Sequence, residues 1–224
     1  MDFARAFVYM FEDRDWITKV LIGSLVALAS VLILPAPILG GYTVAVARNV
    51  MRGDETLPDW RDLLRYWVDG LAVLAAVVVY TLPFWLLPVL LVVPAALAGG
   101  LGSQEIADAL GMATMAVSCL FTAAGLVVLL LISPILVVEY ARSGEFGALF
   151  RVGHILRQVR DCLGPIFMAL LVSVLVAILV SVVGTVLGLI PCVGWLLSLP
   201  LGFYPSLVTG HIYGQVGRTC PATA

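Results

Sequence analysis

Arg48, Asp69, Glu139 and His211 are the ionisable side chains that fall within or beside the long apolar runs of this chain. A charge held in hydrocarbon is costly enough that each is a site hypothesis, as proton relay, ion ligand or counter-ion. Their spacing does not compose any of these. Glu139 stands beside Tyr140 and Arg142, a setting for an interfacial ion pair, and His211 has no second His, Cys or carboxylate at helical spacing. Each of the four also falls within about two helical turns of the basic end of its apolar run, where water is within reach. Glycine-rich phosphate loops, HExxH, GxSxG and paired carboxylates at membrane depth do not occur. Cys119, Cys162, Cys192 and Cys220 are isolated singles, a pattern that argues for neither a metal nor a disulfide framework. No catalytic residue, cofactor or metal is expected, and the chain reads as a non-enzyme.

The elements that must position these residues are membrane helices. Apolar residues make up 62% of the 224-residue chain and charged ones 12%, with a mean hydropathy of +1.11. Soluble domains hold roughly 45–50% and 25%. The longest polar connections, Arg48 to Asp69 and Ala141 to Asp161, are too short to bury a core of their own. The expected fold is all-α, a polytopic transmembrane helix bundle that forms one domain over residues 1–224. Six spans in three hairpins are expected at about 17–34, 36–52, 68–97, 106–138, 163–190 and 193–216. Met1 to Lys19 mixes acids with bases and leads into a run longer than an h-region, so a cleaved signal is not expected.

The cations orient those spans. Arg5, Arg14 and Lys19 precede the first run, Arg48, Arg52, Arg61 and Arg65 follow the second, Arg142, Arg151, Arg157 and Arg160 follow the fourth, and Arg218 follows the last. The connections at Pro35 to Pro37, Gly99 to Glu105 and Pro191 to Cys192 hold none. With the cation-bearing connections inside, both termini are cytoplasmic and an even number of crossings separates the N-terminus from Arg48. Pro35-Ala36-Pro37 is then a tight external turn, since proline halts the first helix. Arg48 is expected to snorkel toward the headgroups.

Three segments read as interfacial amphipathic helices, at about 2–13, 58–67 and 145–160. The first sets Phe3, Phe7, Met10 and Phe11 on one face and is expected to lie on the membrane. The second gathers Trp60, Leu63, Leu64 and Trp67 opposite Arg61 and Arg65. The third sets Phe146, Leu149, Phe150, Ile155, Leu156 and Val159 against Arg151, Arg157 and Arg160. Lipid is the expected partner, with anionic headgroups met by Arg48, Arg52, Trp60, Arg61, Arg65, Trp67, Arg151, Arg157 and Arg160. Docking of the same faces onto the bundle is the expected role, and headgroup binding is the alternative. Nucleic acid is not an expected partner.

Small residues recur every fourth position at Ser173, Ala177, Ser181 and Thr185, with Gly184 and Gly188 beside them and Gly210 and Gly214 later. Such spacing lets helix backbones approach closely. The partner helix is expected within the chain, with a homo-oligomer or another membrane protein as the alternative. Pro83, Pro88, Pro94 and Pro134 interrupt the third and fourth runs and predict kinks, or a broken segment near Pro88 to Pro94. Broken helices line transport sites. A transport path would run past Tyr80, Trp85, Thr114 and Ser118, with Glu139 and His211 near its cytoplasmic end.

"GGYTVAVARNVMRGDETLPDWRDLLRYWVDGL" (Gly40 to Leu71) resembles the signature of DUF4013, a family of prokaryotic, largely archaeal multi-pass membrane proteins. Gly41, Tyr42, Arg48, Arg52, Gly53, Leu57, Pro58, Trp60, Leu63, Asp69 and Gly70 carry the resemblance. "PILVVEYARSGEFGALFRVGHILRQVRDCLGPIF" is similar in organisation to DUF975 and to the membrane domain of some glycerophosphodiesterases. The resemblance implies a multi-pass protein of a prokaryotic cell membrane and brings no catalytic residue with it. Two functions follow as expectations. One is a bundle-forming assembly or scaffold module that meets lipid or a partner through basic cytoplasmic segments. The other is a small-solute transporter or channel using the proline-interrupted spans.

Overall fold

The computed structural model describes residues 2–54, 56–100, 104–190 and 193–220. Among these residues eight α-helices follow one another: α1 (Phe3–Val8), α2 (Trp16–Ala29), α3 (Ala36–Arg52), α4 (Leu63–Gly100), α5 (Gln104–Ser143), α6 (Val152–Asp161), α7 (Leu163–Gly188) and α8 (Val193–Thr219). Short 3-10 turns follow α1 and α2 and precede α6. No strand occurs among the described residues. The connections expected at Gly99 to Glu105 and Pro191 to Cys192 fall partly or wholly outside them.

Local chemistry sets the boundaries. Pro35 and Pro37 halt α2 and preset the first turn of α3, where a missing N–H costs nothing. Gly53 ends α3 with a φ of +87°, the left-handed cap that suits glycine. The prolines inside α4 do not break it. The helix is continuous past Pro83, Pro88 and Pro94, so the broken segment, the alternative to kinks, does not form. Among the described residues three helical segments are long and apolar enough to cross a membrane, Leu63–Pro94, Asp108–Ser143 and Leu163–Gly188. A fourth is added if Phe3–Glu12 and Trp16–Leu32, bent by 106°, count as one span.

The core fills one half of the bundle. One cluster joins Val44 and Ala47 of α3, Ala72 and Ala76 of α4, Ile135 to Ala141 of α5, Ile155 of α6, Ile166 to Val176 of α7 and Val208 to Val216 of α8. A second joins Tyr9, Met10, Val20, Tyr42, Val46, Leu57, Tyr66, Phe203 and Leu207. Beyond this half, α4, α5 and α7 expose apolar side chains such as Leu90, Leu120 and Ile178.

The three amphipathic segments behave differently from one another. The first docks on α8 through buried Ala6, Tyr9 and Met10 and leaves Phe11 exposed, because Gln215 holds it by accepting from the Asp2 N–H and donating to the Asp2 carbonyl, both at 2.7 Å. The second is not a separate helix: α4 begins at Leu63 and runs on without a break, and Trp60 lies in the connection before it. The third is present as α6 and its preceding turn, with Leu149, Ile155 and Val159 buried against the bundle and Arg151, Arg157 and Arg160 outside. The cysteine expectation also changes, since Cys162 and Cys220 form a disulfide across a Cα separation of 6.0 Å. It pins the start of α7 to the end of α8, two ends that only the tertiary fold brings together.

Candidate functional site

Two glycines set the central helix crossing. A Cβ at Gly41 would collide with the Tyr66 carbonyl, and one at Gly70 would collide with the Pro37 carbonyl and stand 2.7 Å from the Gly41 nitrogen. Backbone meets backbone there, as the absence of side chains allows. Gly210 and Gly214 do the same for α8 against α3, where a Cβ would stand 2.9 Å from Val46 and 2.6 Å from Val50.

This approach encloses a polar triad. Arg48 Nη2 lies 3.3 Å from Asp69 Oδ2, and the two side chains are 12% and 10% exposed. Tyr140 donates its hydroxyl to Asp69 Oδ1 at 3.1 Å, and Arg48 Nε donates to the Ala141 carbonyl at 3.2 Å. Three helices are thereby tied at one point. Arg48 therefore turns inward, which corrects the expected snorkelling: a carboxylate on the neighbouring helix is within its reach.

The connection after α3 is fastened beside the triad. Tyr42 stacks on Trp60 with ring centroids 4.2 Å apart and planes 12° apart, and Tyr66 and Phe203 close the cluster edge-on to Tyr42. Tyr42 donates to the Pro58 carbonyl at 3.0 Å, and Trp60 Nε1 to the Lys19 carbonyl at 2.8 Å. Asp13 accepts from Lys19 Nζ at 2.9 Å, from the Asp15 N–H at 2.8 Å and from the Leu57 N–H at 3.0 Å. Burial pushes the Asp13 carboxyl up, yet those three donors outweigh it and hold it below its ordinary value.

Other buried polar groups are likewise used in packing. Glu139 accepts from Gln158 Nε2 at 3.3 Å and has His154 Nε2 at 3.5 Å. Arg142 donates to the carbonyls of Gly217 and Cys220 at the end of α8. His211 lies against the Tyr9 ring at a centroid distance of 4.4 Å, with Gln215 Nε2 at 3.1 Å from its Nδ1. Among the described residues no cluster of His, Cys, Asp or Glu could hold a metal ion.

The side chains expected along a transport path lie on α4, α5 and α8. Tyr80 donates to the Leu149 carbonyl at 2.9 Å, Trp85 is exposed, Thr114 and Ser118 are half-buried on α5, and Glu139 and His211 sit in separate networks. The crevice lined by Tyr80, Thr81, Ile132 and Ser133 has no room for a water molecule. The small-residue stripes divide as well. Gly210 and Gly214 face α3, whereas a Cβ at Gly184 or Gly188 would meet nothing, and Ala177 and Ser181 are exposed. Packing of that α7 stripe within the chain is thus corrected to an outward-facing stripe.

Among the expected lipid-facing cations, Arg52, Arg61, Arg65, Arg151, Arg157 and Arg160 are exposed, and Trp67 is half-buried. They gather toward one end of the bundle. A Cβ at Gly53 would lie 3.8 Å from Arg218, Arg142 reaches the end of α8, and Cys162 joins Cys220. The Asp13 hub was not legible in the sequence. The aromatic cluster could have been suspected from Tyr42 and Trp60 inside the signature.

No curated protein and no solved structure matches the chain. A family model does match, described as a protein of unknown function, DUF4013, over residues 24–189. That stretch takes in α3, the triad and the aromatic connection, and it exceeds half of the 224 residues, so the chain belongs to the DUF4013 family.

Proposed function

We propose that this protein is a non-catalytic membrane module of the prokaryotic cell membrane. It assembles with itself or with another membrane protein and meets anionic lipid headgroups or a cytoplasmic partner through its exposed arginines. The observation that carries this reading is the division of its charges. The buried ones are consumed in holding helices together, as in the Arg48–Asp69–Tyr140 triad, while Arg61, Arg65, Arg151, Arg157 and Arg160 face outward toward the same end. With that end on the cytoplasmic side, both termini are cytoplasmic, and α2–α3, α4–α5 and α7–α8 act as three hairpins hanging from it.

Native mass spectrometry from mild detergent tests the assembly. More than one copy per particle, or a retained membrane partner, is expected. Gly184→Leu should reduce the particle to a smaller folded species, since a side chain there meets nothing within the chain. Strictly monomeric protein whose reconstituted vesicles carry a solute flux abolished by Thr114→Leu overturns the reading in favour of transport.

A further inference from the structure

The turn between α2 and α3 is apolar where a water-facing turn is polar. Val31, Leu32, Ile33 and Leu34 are 79%, 76%, 80% and 74% exposed, and no charged residue lies between Lys19 and Arg48. Ile33 adopts a φ of +65°. Gly, Asn or Asp take that conformation easily, and a β-branched residue does not. Apolarity has been kept at the expense of an easy turn. The exposed surface continues down α2 through Leu28, Leu25, Leu21 and Ile17 at helical spacing.

The N–H groups of this turn need no water. The N–H groups of Ile33, Leu34, Ala36 and Ile38 donate to the carbonyls of Ser30, Leu32, Ile33 and Pro35 at 2.9, 2.7, 3.0 and 2.9 Å. Pro35 and Pro37 have no N–H to satisfy. The Leu34 carbonyl accepts from Trp67 Nε1 at 2.9 Å. Irregular backbone survives in hydrocarbon only when protein meets its polar groups in this way.

The docking point of the turn sets its depth. Leu34 meets Trp67, and Pro37 meets Gly70, both in the first two turns of α4. From Gly70 that helix continues to Gly100, a further rise of about 45 Å at 1.5 Å per residue. Its outward residues stay apolar through Leu97. A hydrocarbon layer about 30 Å thick cannot hold that length of apolar helix beyond a turn already at its far face.

We propose that the α2–α3 hairpin dips into the cytoplasmic leaflet and returns without crossing, with the acyl chains of that leaflet as the partner of its apolar turn. The sorting of cations allows this, because zero crossings before Arg48 is as even as two. The crossings are then made by α4, α5 and α7, each long and apolar enough, with α8 as the fourth that returns the chain to the cytoplasmic side, in place of six. The proposal rests on the cytoplasmic placement of the basic end and not on the oligomeric state.

The test uses the full chain with serine at Cys119 and Cys192, carrying either Ile33→Cys or Thr56→Cys. Right-side-out and inverted membrane vesicles are treated with an impermeant maleimide, and a spin label at the same site is probed with oxygen and a water-soluble nickel chelate. At Ile33→Cys labelling should be lost from both sides, with the spin label open to oxygen and closed to nickel. Thr56→Cys should react in inverted vesicles. Labelling of Ile33→Cys from outside would mean a complete crossing, and labelling from inside as fast as at Thr56→Cys would mean a turn in water; either overturns the proposal. Reaction of Thr56→Cys from outside would instead overturn the orientation on which it rests. If Ile33→Cys fails to fold, Val31→Cys reads the same depth.

Discussion

Replacing Asp69 by alanine should destabilise the bundle more than any other change to a single polar side chain. The carboxylate accepts from Arg48 at 3.3 Å and from Tyr140 at 3.1 Å, and the Arg48 side chain is 12% exposed. Without Asp69, the buried guanidinium keeps only the Ala141 carbonyl, at 3.2 Å from Nε. Removing one member of a buried ion pair costs about 3–5 kcal/mol, while replacing both by apolar residues of similar volume is often near neutral. Asp69→Ala and Arg48→Met should therefore each be costly, and the double variant Asp69→Leu with Arg48→Met much less so than their sum. Tyr140→Phe, which removes one hydrogen bond to a charged group, should cost about 1.5–3 kcal/mol. Reversible unfolding in mixed micelles, followed by circular dichroism, measures all four. The reasoning fails if Asp69→Ala costs under about 1 kcal/mol or if the two single changes simply add. That result would mean that Arg48 swings into the open cleft it lines with Arg52, Asp62 and Arg65 and is solvated there.

Gly70→Ala should separate α3 from α4 and lower stability in the same micelles, whereas Gly184→Ala should leave the unfolding of the single chain unchanged, because only the first Cβ meets backbone. Trp60→Ala removes the stack on Tyr42 and the bond to the Lys19 carbonyl; trypsin should then cleave the connection between Gly53 and Asp62 sooner while the helix content stays the same. The Asp13 carboxyl, held below its ordinary value, contributes stability that is present above the unfolded pKa of about 3.9 and is lost as pH falls through the lower folded value. Pepsin cleavage of the same connection should rise only in that acid range, and Asp13→Asn should raise it at the higher pH and flatten the dependence.

The helical class and most helix boundaries were legible because they depend on composition, apolar run length, proline and cation placement, which are local quantities. Depth and partner choice were not. Nothing near Arg48 in the sequence says that Asp69, 21 residues on, will lie within reach of its guanidinium. That placement depends on Gly41 and Gly70 letting two backbones touch. Trp60 and Trp67 share a face on a helical wheel, yet the helix starts at Leu63, and Trp60 instead stacks on an aromatic ring of another helix. The pairing of Cys162 with Cys220 spans a sequence separation of 58, a distance at which spacing carries no information. The two glycine stripes look alike in sequence, and only the fold separates the pair against α3 from the pair facing outward.

The position of the family signature within the fold has a physical reason. In lipid, apolar surfaces gain little by meeting each other, so helices are matched by close backbone approach and by hydrogen bonds. The signature concentrates both kinds of residue. Gly41 and Gly70 set the crossing, Arg48 and Asp69 lock it, Gly53 ends α3, and Tyr42, Leu57, Pro58 and Trp60 fasten the connection that follows. These residues define how the bundle is built, so a loss of activity on changing them would report on packing before it reported on chemistry. Arg52 departs from this pattern: it belongs to the signature, is exposed, and lines the cleft beside Arg65. Arg52→Gln should therefore leave unfolding unchanged and weaken flotation of the protein with anionic vesicles relative to neutral ones. An equal loss on both vesicle types would remove Arg52 from lipid contact and direct attention to the α6 arginines instead.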